Sequence, residues 1–196
     1  IDFLKMLDQS AWKMLSMIDK SLDLFKMERG QYQLQPVPVD MVKVVRLVLK
    51  ELESLAERKS IACSVLLNGR VLAESDTCVV QGETLLLSTI ASNLLKNAIE
   101  ASPVGEKVVI ALIDQEPFLI EVRNQGVIPL EIQARFFERY ATSGKKNGTG
   151  LGGHSARLMA RTLGGDTRFV STLKTGTVIT VTIPQPSKSL KKEMKL

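Results

Sequence analysis

Apolar side chains recur three and four positions apart along several stretches of this chain, the pattern of helices that bury one face. The first stretch, Asp2 to Arg29, has a nearly heptad spacing and predicts one long amphipathic helix. Such a helix can pack on a helical partner or on its own domain, and Gly30 suits its C-terminus. A second helix is predicted to run from about Asp40, which can cap it, to about Arg58.

The stretch from Glu83 to Ser102 combines a strongly apolar face with a polar stripe beside it. At about 100° per residue, Asn93, Asn97 and Glu100 fall within roughly 60° of one another. Asparagine is not favoured inside helices, because its amide competes for backbone groups. The stripe therefore indicates a site at the rim of the core, although an exposed polar face is the simpler alternative. The residues predicted to be buried are Leu87, Ile90, Ala91, Leu94, Leu95 and Ala98.

Short apolar runs bounded by turn residues predict strands, and two further helices are predicted at Leu130–Tyr140 and Ser155–Leu163, the latter ended by Gly164 and Gly165. Together these elements predict an α+β fold: a two-layer α/β sandwich in which three helices cover a mixed sheet of about five strands, plus the long N-terminal helix. The strand segments are residues 61–67, 77–80, 107–113, 118–123, 166–171 and 176–183.

Prolines and a change in charge divide the chain. Pro36 and Pro38 place a linker at residues 31–38, between a helical segment at 1–30 and a domain at 39–184. Residues 185–196 form a basic tail or linker, with four lysines and one glutamate, and account for much of the net charge of +5. Because aromatic residues are not interleaved with these lysines, nucleic-acid binding is not expected.

The overall composition is that of a soluble globular protein. Of 196 residues, 44% are hydrophobic and 24% are charged, and no apolar run has the length of a membrane span, so no membrane contact is expected. Cys63 and Cys78 lack metal-ligand spacing and predict buried thiols in a reducing cytoplasm. The start at Ile1, without methionine or a signal-like segment, is expected of a fragment.

Residues 136–153 contain a glycine-rich loop that leads into a predicted helix. Glycines let backbone N–H groups approach an anion, and a helix N-terminus favours negative charge. The loop fits neither the Walker pattern nor the dinucleotide fingerprint, so from the loop alone a phosphate site and a flexible surface loop are both open. The residues concerned are Gly148, Gly150, Gly152 and Gly153, with positive charge from Lys145 and Lys146.

Five motifs, taken in order, resemble those of the catalytic, ATP-binding domain of sensor histidine kinases, in the superfamily that includes gyrase, MutL and a major heat-shock chaperone. The N box of that family is matched by SNLLKNAIEAS, its first glycine box by VRNQGVIP and its F box by FFERYATSGKK. Its second glycine box is matched by GTGLGG and its third by residues 175–177. The resemblance covers residues 37–184 and implies the Bergerat-type ATP-binding fold.

The resemblance implies a protein-histidine kinase domain that uses ATP and Mg²⁺. Asn97 would coordinate Mg²⁺, and Asn93 occupies the position where water-hydrolysing relatives place a glutamate base, so slow hydrolysis is expected. The phosphoryl group would be stabilised by Lys145 and Lys146, while Phe136 and Phe137 would pack the base of the loop onto the domain. The other implied nucleotide contacts are Glu100, Asn124, Gly126, Ile128, Ser143, Gly148, Thr149, Gly150, Leu151, Gly152 and Thr177.

Two residues depart from the family's first glycine box. Asn124 stands where the family has the aspartate that accepts the adenine amino group, and Ile128 stands in place of a second glycine. A neutral amide makes a weaker hydrogen bond than a carboxylate. We therefore expect ATP to bind more weakly than it would to an Asn124→Asp variant.

Residues 1–30 resemble the second helix of the family's dimerisation and histidine phosphotransfer domain. The phosphoacceptor histidine belongs to the preceding helix, and the single histidine here, His154, does not replace it. The implied partners are a histidine-bearing phosphotransfer helix, a response regulator and a second copy in a homodimer. The implied location is the cytoplasm, with membrane tethering of the full-length protein left open.

Two alternative functions are also consistent with parts of the sequence. A degenerate kinase-like module could hold nucleotide weakly and act through protein contacts, which the change at Asn124 favours. An ATPase of the gyrase or mismatch-repair type would need the glutamate that Asn93 replaces.

Overall fold

The structure is a computed structural model that describes residue 8 and residues 21–141 and 150–186. The chain divides into two compact units, Ile1–Gln33 and Leu34–Leu196. In the first unit, helix α1 covers residues 21–28 and ends before Gly30, whose φ of 65° confirms the predicted C-cap. Most of the helix predicted from Asp2 lies outside the described residues.

The second unit contains one six-stranded sheet and a separate two-stranded ribbon. The sheet has the order β3-β2-β5-β6-β8-β7, with β2 and β5 parallel and every other pair antiparallel, while β1 pairs with β4. The strands are β1 (Val37–Asp40), β2 (Ala62–Leu67), β3 (Arg70–Val71), β4 (Val79–Gly82), β5 (Lys107–Ile113), β6 (Phe118–Asn124), β7 (Asp166–Thr172) and β8 (Gly176–Ile183). The predicted α+β fold is confirmed, with six strands in the main sheet rather than about five.

Helices cover one face of this sheet. Helix α3 (Thr84–Ala101) packs across β5 and β6, with α2 (Met41–Arg58) on one side of it and α5 (Gly152–Thr162) on the other. Every apolar residue predicted for the inner face of α3 is buried. The opposite face of the sheet is polar, where Arg123 pairs with Glu121 at 2.6 Å. Asp40 accepts a hydrogen bond from the N–H of Val42 and so caps α2 as predicted.

Three boundaries differ from the prediction because contacts distant in sequence decide them. Val37 and Pro38, assigned to the linker, lie in β1, which forms only by pairing with β4. Helix α4 covers only Leu130–Gln133, and the left-handed φ of 61° at Tyr140 is incompatible with a helix continuing through that residue. Helix α5 begins at Gly152, three residues earlier than predicted, because its glycines fit closely against neighbouring residues.

Lys59, the residue directly after α2, holds the C-terminal end of α3. Lys59 Nζ donates to the carbonyl oxygens of Ile99 at 3.0 Å, Glu100 at 2.8 Å and Ser102 at 2.5 Å. Those carbonyls have no partner within the helix, so the ammonium satisfies them and complements the negative end of the helix dipole. The last turns of α3, which carry the polar stripe, are thereby fixed.

Every helix in the described part of the chain is too short or too polar to cross a bilayer.

Candidate functional site

A cavity of about 450 Å³ lies within the second unit, between α3, α5 and the segment that follows β6. Its volume is in the range of pockets that hold small ligands and cofactors. Most of the predicted site residues in the described ranges meet here, although they come from four separate parts of the sequence. The predicted residues that line the cavity are Asn93, Asn97, Glu100, Asn124, Ile128, Gly150, Leu151, Gly152 and Thr177.

The polar stripe of α3 forms one wall of this cavity. Asn93 and Asn97 are half-buried, and neither amide is hydrogen-bonded to another described residue. Amides in such a position would normally find a partner in the protein or in a ligand. Glu100, one turn beyond, lines the same wall and lies 4.0 Å from Lys96. The predicted stripe is therefore a row of polar groups directed at a cavity and not an exposed helix face.

The first turn of α5 faces this wall closely. A Cβ atom added to Gly152 would lie 3.1 Å from Asn97 Nδ2 and 3.4 Å from Asn97 Oδ1. A Cβ atom added to Gly153 would lie 3.1 Å from the carbonyl oxygen of Phe136. No side chain caps α5 at Leu151, which itself lines the cavity. The N-terminal end of an eleven-residue helix, favourable to anions, therefore lies beside Asn97.

Gly150 brings together the two ends of the glycine-rich loop. Its φ is +64°, and a Cβ atom there would lie 2.5 Å from the carbonyl carbon of Tyr140 and 2.6 Å from its Cα. Only glycine fits so close to another backbone in this conformation. The loop residues predicted to contact a nucleotide, Ser143, Lys145, Lys146, Gly148 and Thr149, lie outside the described residues.

A second group of predicted residues lies at the end of β6. Asn124 is 7% exposed, and its Nδ2 donates to the carbonyl oxygen of Gly126 at 3.3 Å. Thr177 Oγ1 donates to the same oxygen at 2.7 Å. Gly126 does not line the cavity; a Cβ atom there would lie 2.2 Å from the carbonyl oxygen of Ala101. Its place in the site is to carry the carbonyl that Asn124 and Thr177 share.

Ile128 lines the cavity, and both its backbone groups are bonded to side chains. Its N–H donates to Ser171 Oγ at 2.9 Å, and its carbonyl accepts from Gln133 Nε2 at 2.8 Å. Ser171 Oγ also lies 2.7 Å from Thr177 Oγ1. Ser171 was not predicted as a site residue, because a serine in a strand has no distinctive pattern; only the register of β7 and β8 pairs it with Thr177.

An aromatic cluster supports the base of the loop. The rings of Phe136 and Phe137 each pack edge-on against Phe169 of β7, with centroid distances of 5.1 and 5.7 Å. The expected packing of these two side chains onto the domain agrees with these contacts. Phe136 in addition lines the cavity, a contact not expected from the sequence.

Two arginines of α5 bind one carboxylate at the start of β7. Arg157 Nε lies 2.9 Å and Arg161 Nε 3.2 Å from Asp166 Oδ1. Hydrogen bonds from Arg157 hold the pKa of Asp166 well below its usual range, assisted by Arg161 and by the N–H of Thr167, while partial burial opposes them. This cluster ties α5 to the sheet from the side away from the cavity lining.

Within the described residues, neither the cysteines nor the side chains that could bind a metal form a second functional site. Neither Cys63, which is half-buried, nor Cys78, which is buried, forms a disulfide. Burial raises the pKa of the Cys63 thiol, so its reactive thiolate is disfavoured. Across residues 21–141 and 150–186, no group of three or more histidine, cysteine, aspartate or glutamate side chains is arranged to hold a metal. A metal in this cavity would instead depend on amide oxygens and on a ligand.

This fold and cavity define a nucleotide-binding domain of the ATPase class, with an asparagine-bearing helix facing the glycine-rich start of another helix. Comparison with known proteins gives the family. The chain belongs to the histidine kinase-, DNA gyrase B-, and HSP90-like ATPases, whose family pattern matches residues 82–187.

Proteins similar to this chain include sensor proteins and sensor histidine kinases. The sensor protein EvgS of Escherichia coli O157:H7 is 30% identical over 87% of this chain, which spans only 15% of the length of EvgS. A solved structure of a mycobacterial sensor histidine kinase, MprB, is 25% identical, with a TM-score of 0.63 over 77% of this chain and 98% of MprB. The histidine kinase AdeS of Acinetobacter baumannii shares the fold at a TM-score of 0.68, with 19% identity over 94% of this chain and 84% of AdeS.

These similarities decide between the functions that the sequence left open. The chain contains an ATP-binding catalytic domain of the kind found in two-component sensor histidine kinases, which are ATP-dependent protein-histidine kinases. The degenerate module without ATP chemistry is not favoured.

Proposed function

We propose that the cavity binds ATP with Mg²⁺ and that the domain transfers the γ-phosphoryl group to a histidine of a phosphotransfer helix. One observation carries this proposal: the Asn97 amide has no hydrogen bond to another described residue and faces the first turn of α5 at close range. A hard oxygen ligand and an anion-binding helix terminus are thus adjacent, as a metal-bound polyphosphate requires.

Asn97 fits a magnesium site. Mg²⁺ takes one or two protein oxygens and completes its octahedron with phosphate oxygens and waters. The amide oxygen of Asn97 would be such a ligand, with Asn93 and Glu100 along the same wall to orient waters. When bound, the ion would neutralise charge on the phosphates; the residues themselves position it against α5.

The phosphates would lie against the start of α5. Backbone N–H groups of a first helical turn have no intrahelical acceptor, and Leu151 and Gly152 line the cavity at this end of α5. We assign Ser143, Gly148 and Thr149 to further phosphate contacts on the strength of the motif. Lys145 and Lys146 would stabilise negative charge on the transferred group.

The base would lie at the other end of the cavity. Asn124 Oδ1 would accept a hydrogen bond from the adenine amino group, with Thr177 and Ile128 beside it. Gly126 would act indirectly, through the carbonyl that it presents to Asn124.

The identity of residue 93 favours transfer to histidine over hydrolysis. A neutral imidazole attacks phosphorus through a nitrogen lone pair that carries no proton, forming the N–P bond as the P–O bond to ADP breaks. Water has to lose a proton in the same step, and the Asn93 amide cannot accept it. We therefore propose slow hydrolysis and productive transfer to an imidazole.

The finer biological setting is also proposed. The acceptor histidine would be carried by a phosphotransfer helix in a homodimer, and the phosphoryl group would pass from there to a response regulator. Transfer would take place in the cytoplasm, whether or not the full-length protein is tethered to a membrane.

Binding calorimetry on an Asn97→Ala variant tests the proposal. We expect the wild-type chain to bind ATP more tightly with Mg²⁺ than without, and Asn97→Ala to lose most of that metal-dependent gain, about tenfold or more, as expected for one lost oxygen ligand. Ser92→Ala is the matched control, since Ser92 lies on the same helix but does not line the cavity. If Asn97→Ala retains the full effect of Mg²⁺, the proposed role of Asn97 is wrong.

A further inference from the structure

A chain of hydrogen bonds inside the second unit ends at the Asn124 side chain. The N–H of Ile128 donates to Ser171 Oγ at 2.9 Å, and Ser171 Oγ lies 2.7 Å from Thr177 Oγ1. Thr177 Oγ1 donates to the Gly126 carbonyl at 2.7 Å, and Asn124 Nδ2 donates to the same carbonyl at 3.3 Å. These five residues link β7, β8 and the segment after β6.

The two backbone groups in this chain fix the direction of every hydrogen bond between them. A backbone N–H can only donate and a backbone carbonyl can only accept. The single proton of Thr177 therefore goes to Gly126, and the proton of Ser171 goes to Thr177, while Ser171 accepts from Ile128. Within this series of hydrogen bonds, neither the Ser171 hydroxyl nor the Thr177 hydroxyl is free to rotate.

The Gly126 carbonyl, which can only accept, also determines which end of the Asn124 amide faces the cavity. The Gly126 carbonyl requires a donor, so the NH₂ group turns toward it. The oxygen, Oδ1, then accepts no hydrogen bond from another described residue, and Asn124 lines the cavity. A buried amide held in this way presents an acceptor and not a donor.

We infer that Ser171 is a positioning residue which, through Thr177 and the Gly126 carbonyl, holds the Asn124 amide so that the cavity selects a 6-amino purine nucleotide over a 6-oxo one. The inference rests on the proposed nucleotide-binding function and adds the basis of its base selectivity. A 6-amino group donates to Oδ1, whereas a 6-oxo group in the same place would set two acceptors against each other and leave both unpaired, which is costly in a buried site.

We call the hydrogen bonds that lead from Ser171 through Thr177 to the Gly126 carbonyl the hydroxyl relay. This relay matters because residue 124 is an asparagine. Both oxygens of an aspartate accept, so a carboxylate at this position presents an acceptor whichever way it turns. An amide presents an acceptor in one orientation and a donor in the other. The Gly126 carbonyl supplies the directionality that an aspartate would not need, and the hydroxyls of Ser171 and Thr177 hold that carbonyl in place.

The residues of the relay can be tested separately from the cavity lining. Thr177 lines the cavity, whereas Ser171 does not, so an effect of Ser171 on base selectivity must pass through its hydrogen-bonded neighbours. Thr172 is the next residue of β7 and forms a similar hydroxyl pair, 2.7 Å from Thr175, at an exposed turn. Thr172→Val therefore removes a comparable hydroxyl without touching the relay.

The experiment measures dissociation constants for ATP and for inosine triphosphate, which differs at the 6-position, with Mg²⁺ on the folded chain. We expect the wild type to favour ATP by at least tenfold and Ser171→Ala to lose threefold or more of that ratio. Ser171→Thr should restore the ratio, and Thr172→Val should leave it unchanged. Circular dichroism and thermal melting confirm that each variant is folded.

A second comparison separates positioning from general damage to the site. In the Asn124→Asp background, Ser171→Ala should have little effect on the ratio, because a carboxylate has no orientation to lose. A wild type that binds ATP with no preference over inosine triphosphate, or a ratio unchanged by Ser171→Ala, would overturn this inference alone. A wild type that binds neither nucleotide would overturn the proposed function and this inference with it.

Discussion

Asn124 meets two demands with one amide. Its Nδ2 satisfies the Gly126 carbonyl, and its Oδ1 is left to a ligand, which suits a residue that is only 7% exposed. A neutral amide costs less to bury than a carboxylate. The neutral amide, however, makes a weaker hydrogen bond to the ligand than a carboxylate would, since charge-assisted bonds are about twice as strong.

Asn124→Asp should therefore separate ligand affinity from stability. We expect ATP to bind more tightly, by about fivefold if the bond gains roughly 1 kcal/mol. The unliganded variant should melt at a lower temperature, because a buried carboxylate cannot donate to Gly126. Calorimetry with ATP and a thermal melt without it measure the two effects; equal dissociation constants would contradict the first, and an unchanged melting temperature the second.

At the scale of elements, the site depends on how the ends of α3 and α5 are held. Asn97 lies one turn before the C-terminus of α3, and Gly152 begins α5, so a shift of either end changes the distance between a metal ligand and a phosphate site. Lys59 fixes the end of α3, and Asp166 fixes α5 to β7. Neither residue lines the cavity.

Lys59→Met should destabilise the domain by about 1–3 kcal/mol, because three carbonyls at the end of α3 lose a charged donor. Lys43→Met is the matched control: Lys43 is exposed on α2, so its substitution should change stability by less than about 0.5 kcal/mol. Urea denaturation of both variants measures the difference. Equal stabilities of the two variants would show that the lysine contacts contribute nothing.

Asp166 should contribute a pH-dependent part of the stability. Its folded-state pKa is lowered, chiefly by Arg157, so its contribution is present above the unfolded-state pKa of about 3.9 and is lost as the pH falls below that value. Asp166→Asn should lower the free energy of unfolding at pH 7 by about 1 kcal/mol or less, since the ion pairs are partly exposed, and by less at pH 3.

Asp76, whose pKa is lowered to about 2 by Arg70, adds to the acid sensitivity of both the wild type and this variant and so cancels in the comparison. Asp114→Asn, at an exposed position, is the control and should differ little from wild type at either pH. A destabilisation by Asp166→Asn that is the same at pH 3 and pH 7 would contradict the assignment.

At the scale of the whole molecule, the second unit could be predicted largely from local patterns, and the exceptions have physical causes. The apolar face of α3 and the cap at Asp40 were predicted from periodicity and from residue type. Strand β1 was not predicted, because its pairing with β4 joins residues about forty apart. Prolines also mark the segment in which it lies, and they usually disfavour strands.

The candidate site likewise contains some residues that could be predicted from local sequence patterns and others that could not. Its polar residues on α3 stand out because asparagine is unusual on the rim of an apolar helix. Ser171 could not be singled out, since a lone serine in a strand has no distinctive pattern and gains its position only through the register with Thr177. The early start of α5 was missed because its two glycines suit a loop, whereas close contacts with Asn97 and Phe136 decide it.

Transfer of labelled phosphate from ATP to histidine tests the central claim most directly. The chain is incubated with γ-labelled ATP, Mg²⁺ and a helical hairpin bearing the acceptor histidine of a related sensor kinase; a hairpin with that histidine changed to glutamine is the control. We predict acid-labile label on the acceptor histidine, little release of free phosphate, undiminished transfer by His154→Gln and loss of transfer by Asn97→Ala. Bound ATP without label on the acceptor, or phosphate released to water faster than it reaches histidine, would contradict the account.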